Sequence, residues 1–152
     1  MPSSSSKAEE LKAFRFQVFV YGTLRPGGYY YRRICEGRVP LSLPALVRGK
    51  LFHLKLGYPA LCDGSDWVRG DVLAFNDPAL MQDIDNLEGY DPDRASESNE
   101  YLRKDSPTFD LDRRLLGKIP AYWMQRERIQ TEDGQYVATG DWHLWTNSHR
   151  LS

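Results

Sequence analysis

Among the carboxylates of this chain, Glu88 breaks a local rule. It closes the segment Ala79 to Glu88, which carries the marks of a helix: Asn76 or Asp77 to cap it, Pro78 for its first turn and Gly89 to end it. At about 100° per residue, Leu80, Ile84 and Leu87 share one face and Met81 widens it. Glu88 falls between Ile84 and Met81, inside the apolar arc. It also occupies the last turn, where the helix dipole disfavours an acid, and Asp83 and Asp85 add like charge. Burial, dipole and like charge all push a carboxyl pKa upward. A carboxyl poised near neutrality can take up a proton and return it, which is general acid and base chemistry. The competing reading is a helix that frays early and leaves Glu88 in water, and the wheel alone does not separate the two.

A second candidate is the turn Tyr21-Gly22-Thr23-Leu24. Gly22 permits a positive φ and close approach of a ligand, successive backbone N–H groups can form an anion-binding nest, and Thr23 adds a hydroxyl. An ordinary strand-ending turn would carry the same residues. Other reactive side chains read as structural. Cys35 and Cys62 belong to no CxxC pair or Cys/His cluster and read as free thiols. His53, His143 and His149 are scattered, which argues against zinc. Tyr29-Tyr30-Tyr31-Arg32-Arg33 pairs aromatics with cations but reads as a solvated helix face or pocket rim. Arg25 and Arg103 read as surface ion-pair partners before substrate-carboxylate ligands, His53 as an outward strand residue, Trp142 as core, and Asp141 as a turn cap or strand anchor.

The elements that must position these groups are mostly strands. Phe14 to Val20 alternates with period two. Val47 to Leu54, Trp67 to Phe75 and Leu115 to Arg126 read as further strands, Gly57 to Cys62 as an edge strand because Pro59 cannot donate to a ladder, and Trp142 to Trp145 as a short closing segment. Tyr29 to Cys35 reads as a short helix. Strands on both sides of one well-marked helix predict an α+β domain, and Gly22 belongs to no GxGxxG fingerprint. The 152 residues fit one domain, placed at 13–152 behind a Ser-rich, charged tail over 1–12 that reads as disordered. A net charge of −1 gives no pull toward nucleic acid or anionic membrane. No apolar run approaches the roughly 20 residues that span a bilayer, and Met1 to Glu10 lacks the apolar centre of a signal peptide, so a cytoplasmic location is expected.

Five pieces of the chain, in order, resemble the γ-glutamylcyclotransferase-like (AIG2-like, γ-glutamylamine cyclotransferase) family. Phe19-Val20-Tyr21-Gly22-Thr23-Leu24-Arg25 is similar to its opening YGTL motif, Gly57-Tyr58-Pro59-Ala60-Leu61 to its YPAL segment, and Asp85-Asn86-Leu87-Glu88-Gly89-Tyr90 to the DxLEGY segment that holds the catalytic glutamate. Tyr101-Leu102-Arg103 resembles its YxR strand and Gly140-Asp141-Trp142 its GDW. The resemblance implies a small mixed β-barrel flanked by helices, a small-molecule γ-glutamyl substrate, 5-oxoproline as product, and neither metal nor organic cofactor. It implies that Tyr21, Gly22, Thr23 and Leu24 bind the γ-glutamyl head through backbone groups, that Glu88 moves the protons and that Tyr101 walls the pocket. Two alternatives stay open: a non-catalytic γ-glutamyl metabolite-binding module, and an acyl-transfer enzyme removing a γ-glutamyl group from a larger amine. The polar loop Asp91 to Glu100 is longer than in some members, which would reshape the pocket mouth. The leaving amine and the oligomeric state are not set by the sequence.

Overall fold

A computed structural model describes residues 4–95 and 99–148. The elements in chain order are α1 (Ser4–Lys12), β1 (Phe16–Val20), a π-helical turn (Tyr31–Cys35), β2 (Leu41–His53), β3 (Pro59–Phe75), α2 (Pro78–Leu87), β4 (Leu102–Phe109), β5 (Leu115–Trp123), α3 (Arg126–Thr131), β6 (Gln135–Tyr136) and α4 (Trp142–Ser148). None of the helices among the described residues is long and apolar enough to cross a membrane.

The strands form one mixed sheet in the order β3-β1-β5-β4-β2-β6, and β2 also pairs with β3, so the sheet curls back on itself. Two seams are thin: β1 meets β5 in parallel through Phe19 and Ala121 only, and β2 meets β4 over two residue pairs. The result is an α+β fold with a strongly curled sheet, not the clean barrel that was expected. The longest ladder is β2 against β3. The segments expected as separate strands at Gly57 to Cys62 and Trp67 to Phe75 are one continuous β3, whose register jumps opposite Gly49 and Lys50. Pro59 opens that strand, a place where its missing N–H does no harm.

Apolar side chains fill both faces of the curl. Val18, Val20, Leu73 and Phe75 pack with Leu80 and Ile84 of α2, while Phe19, Val47, Val68 and Val72 pack with Trp142 in a second cluster. This two-sided burial explains why β1 has three consecutive buried residues where the period-two pattern predicts one wet face.

Three expectations are corrected. Residues 1–12 were expected as a disordered tail, yet Ser4–Lys12 is helical, with residues 1–3 outside the described residues. Leu11 is 2 % exposed, and the Gln17 amide donates to the Leu11 and Phe14 carbonyls at 2.6 and 2.7 Å, which ties down the end of the helix. Trp142 to Trp145 is the start of α4 rather than a strand, because the Asp141 carboxylate accepts from Leu144 N at 3.2 Å and caps a helix there. His53 does not point outward freely: it stacks on Trp145 at 4.3 Å between centroids and accepts from Trp142 Nε1 at 3.0 Å. Trp142 is core, as expected, at 8 % exposure.

The join between α4 and the sheet is tight. Gly140 has φ +70°, its carbonyl accepts from Arg69 N at 2.8 Å, and a Cβ there would collide with the Trp67 carbonyl oxygen. Gly140→Ala is therefore expected to destabilise the chain by roughly 2–4 kcal/mol, lowering the thermal midpoint by roughly 5–15 °C. A midpoint within about 2 °C of the parent would show that this join is slack.

Candidate active site

α2 begins as expected. The Asp77 carboxylate accepts from Ala79 N at 2.9 Å and Pro78 fills the first turn. Its end decides the fate of Glu88. Glu88 N donates to the Ile84 carbonyl at 3.0 Å, Gly89 turns with φ +65°, and Tyr90 N closes on the Asp85 carbonyl at 2.9 Å. The helix does not fray, and Glu88 stays above the buried Leu80 and Ile84. It is part-buried, and it faces a cavity of about 410 Å³, a size suited to a small molecule.

That cavity brings together all six residues singled out in the sequence. Tyr21, Gly22, Thr23 and Leu24 line one side, and Glu88 and Tyr101 line the rest with Tyr58, Glu100 and Tyr122. Burial first, then the charges of Glu100 and Asp85, pushes the Glu88 carboxyl up to about 8. Asp85, one turn earlier on α2, is buried and held by Arg103 at 2.6 Å and by the Tyr122 hydroxyl at 2.6 Å. Burial and the bond to Asp85 push the Tyr122 phenol upward, so it stays a donor.

The turn is fixed by its carbonyls. Gly22 O accepts from Arg25 N at 3.1 Å and contacts His143 Nε2 at 3.1 Å, and Thr23 O accepts from Tyr31 N at 2.9 Å. Among the described residues, the N–H groups of Gly22, Thr23 and Leu24 donate to no other group of the protein. Three adjacent amides without protein partners beside a cavity are suited to an anion. Gly22 also rests on Pro59, and a Cβ at this position would stand 2.8 Å from Pro59 Cγ. The two tyrosines act as posts: Tyr21 donates its hydroxyl to the Tyr122 carbonyl and Tyr101 donates its own to the Pro59 carbonyl, each at 2.7 Å.

Arg25 and Arg103 are neither surface pairs nor cavity ligands. Arg25 is 8 % exposed and bonds Asp71 at 2.7 Å and Asp141 at 3.3 Å behind the turn, while Arg103 braces Asp85. Tyr30, from the aromatic and basic cluster, sits at the rim of the cavity. Cys35 and Cys62 are free and buried, and burial pushes the Cys35 thiol up to about 11, which leaves it unreactive. Among the described residues no group of three His, Cys, Asp or Glu side chains could hold a metal ion.

Sequence reasoning passed over Glu100 and Tyr58, which meet at 2.5 Å, Tyr58 donating. The Asp91 to Glu100 loop delivers Glu100: Asn99 accepts from Asp91 N at 2.9 Å, and Glu100 N donates to the Gly89 carbonyl at 3.2 Å. Residues 96–98 of that loop lie outside the described residues. The only local signal for Glu100 was its place directly before Tyr101.

A model of the family described as gamma-glutamyl cyclotransferase, AIG2-like, matches residues 18–144, a span that contains every residue lining the cavity. The chain belongs to this family. The γ-glutamylcyclotransferase, AIG2-like, fold is shared with distant solved structures. An AIG2-like protein of Mus musculus is 15 % identical with a TM-score of 0.54, covering 72 % of this chain and 76 % of that one. An uncharacterised protein of Pyrococcus horikoshii is 15 % identical with a TM-score of 0.61, covering 89 % and 96 %. A protein of Arabidopsis thaliana is 24 % identical with a TM-score of 0.60, covering 89 % and 74 %. At such identities the likeness is one of fold. No curated protein matches the chain.

The raised Glu88 carboxyl has a thermodynamic signature. Its ordinary value is 4.5 and its folded value about 8, so between these the folded chain keeps a proton that the unfolded chain has released. Stability therefore falls as pH rises through this window. A tenfold change in proton affinity is roughly 1.4 kcal/mol and the shift spans more than three such steps, so Glu88→Gln is expected to be more stable than the parent at pH 8 by roughly 4 kcal/mol. The two should be nearly equal near pH 4.5, the carboxyl's ordinary value. Urea denaturation of both proteins at several pH values reads the difference, and a gap independent of pH would remove Glu88 as its source.

Proposed function

We propose that this chain is a cofactor-independent cyclotransferase acting on γ-glutamyl amines or amino acids, releasing 5-oxoproline and a free amine. The observation that supports this reading is one cavity shared by a carboxyl poised near neutrality and three amides without protein partners.

The substrate carries its own nucleophile, so the protein has two tasks. The first is to fold the γ-glutamyl head so that its α-nitrogen meets its own γ-carbonyl, and such positioning can lower a barrier by several kcal/mol. The N–H groups of Gly22, Thr23 and Leu24, with the Thr23 hydroxyl, take the α-carboxylate, and Tyr21 and Tyr101 wall the head. The second task is proton transfer. An α-ammonium entering beside Glu88 favours the ionised carboxyl, which then removes a proton from it. The freed lone pair forms the N–Cγ bond, and the γ-carbonyl oxygen takes up the negative charge. Glu88 returns the proton to the departing nitrogen as the Cγ–N amide bond breaks, and the second proton that the ring nitrogen sheds passes through the Glu88 carboxylate to the freed amine, which leaves as an ammonium. No water is consumed and no covalent enzyme intermediate forms.

A pure binding module gains little from a carboxyl that lowers folded stability, which favours turnover over sensing. Glu88→Gln is expected to keep the fold and lose 5-oxoproline release by roughly 10²–10⁴-fold. Near-normal turnover by this variant, followed by product chromatography, would refute the assignment. For the parent, kcat/KM should climb with pH up to about 8, because the base is the ionised form. Gly22→Ala, which presses on Pro59, is expected to raise KM by on the order of tenfold with a smaller effect on stability. A collapse of the thermal midpoint with unchanged KM would count against the turn as the cradle.

A further inference from the structure

The reading above leaves the departing amine unspecified, and the charges that line the cavity bear on it. Besides Glu88, the described lining contains one further charged residue, Glu100, and it contains no Lys, Arg or His. The arginines nearby are committed: Arg25 to Asp71 and Asp141, Arg103 to Asp85, and Arg128 to Glu132 and the Asn99 carbonyl. A leaving group that brought its own carboxylate would therefore meet a carboxylate and no cation. Glu100 is part-buried, and its position is set by two bonds, the Tyr58 hydroxyl on Oε1 and Glu100 N on the Gly89 carbonyl. Among the described residues its Oε2 has no hydrogen-bond or ion-pair partner. Leu56, Pro59 and Tyr30 supply apolar surface to the same cavity, and Glu100 Oε2 lies against Gly89.

We infer that Glu100 selects for the charge of the leaving group, so that the substrate is the γ-glutamyl amide of a diamine, whose distal ammonium pairs with Glu100 Oε2, rather than of an amino acid. This rests on the cyclotransferase reading and narrows it. An ammonium pairs with one carboxylate oxygen as a compact point charge, while an alkyl stem lies along Leu56 and the tyrosine rings. A carboxylate on the same stem loses its hydration and meets repulsion.

Three probes of similar stem length isolate the charge: γ-glutamyl-1,4-diaminobutane, γ-glutamyl-n-butylamine and γ-glutamyl-4-aminobutyrate. With the parent protein, kcat/KM for 5-oxoproline release should be on the order of tenfold to a hundredfold higher for the cationic than for the neutral probe, the difference that a hydrogen bond to a charged group makes. The anionic probe should be lowest. Glu100→Gln should flatten this order, and because the result is a ratio between substrates, any effect of Glu100 on Glu88 cancels. Equal rates for the three probes would overturn the inference and leave the cyclotransferase reading intact. So would an equal loss on all three in Glu100→Gln, which would place Glu100 against the common head. If no probe yields 5-oxoproline, the cyclotransferase reading fails. Calorimetric affinities of the three probes for Glu88→Gln then still decide the charge order, with the cationic probe tightest if the inference holds and no order if it does not.

Discussion

A carboxyl at the negative end of a helix, walled by protein and flanked by two other acids, is the constraint around which this molecule is organised. Every term acting on Glu88 favours its neutral form: burial, Glu100, Asp85 and the dipole of α2. A side chain so placed would leave the site if the helix end were loose. The turn at Gly89, closed by Tyr90 N on the Asp85 carbonyl, holds it. Leu80 and Ile84, both fully buried, hold the helix beneath it. The anchoring is apolar and helical, while the strain is electrostatic.

Behind the cavity runs a chain of polar bonds that reaches four elements. Arg103 on β4 and Tyr122 on β5 both bond Asp85 on α2, and the carbonyl of Tyr122 accepts the Tyr21 hydroxyl from the turn after β1. The helix that carries Glu88 and the YGTL turn are thereby referred to the same strand, β5. On the other side of the turn, Arg25, Asp71 and Asp141 tie its exit to β3 and α4. Buried ion pairs of this kind add little net stability, but they set position sharply because a displaced partner is left uncompensated. Position is what the proposed cyclisation would need from its host.

The parts legible in the sequence were those written in local chemistry. α2 announces its cap, its Pro and its closing Gly, and the wheel places Glu88 on the apolar arc. The YGTL turn follows a run that reads as a strand by itself. What was hidden depends on partners distant in the chain. α1 is polar in composition and is held by a single apolar anchor, Leu11, with help from Gln17. α4 is seven residues long and rich in aromatics, so its pattern suits a strand until Asp141 is known to cap it. Arg25 reads as surface until Asp71 and Asp141 arrive from 46 and 116 residues away. Glu100 reads as a loop acid until Tyr58, 42 residues earlier, donates to it. The barrel was implied by the family resemblance alone, whereas in the structure β1 meets β5 through a single residue pair.

The cradle turn stands near the start of the chain, yet what fixes it comes late: Asp71, the Tyr122 carbonyl, Asp141 and His143, the last of these 121 residues downstream. The bracing of the YGTL segment therefore depends on groups far from it in the chain. Such sequence-distant closure slows folding. The turn is therefore only as rigid as the packing of β5 and α4 behind it.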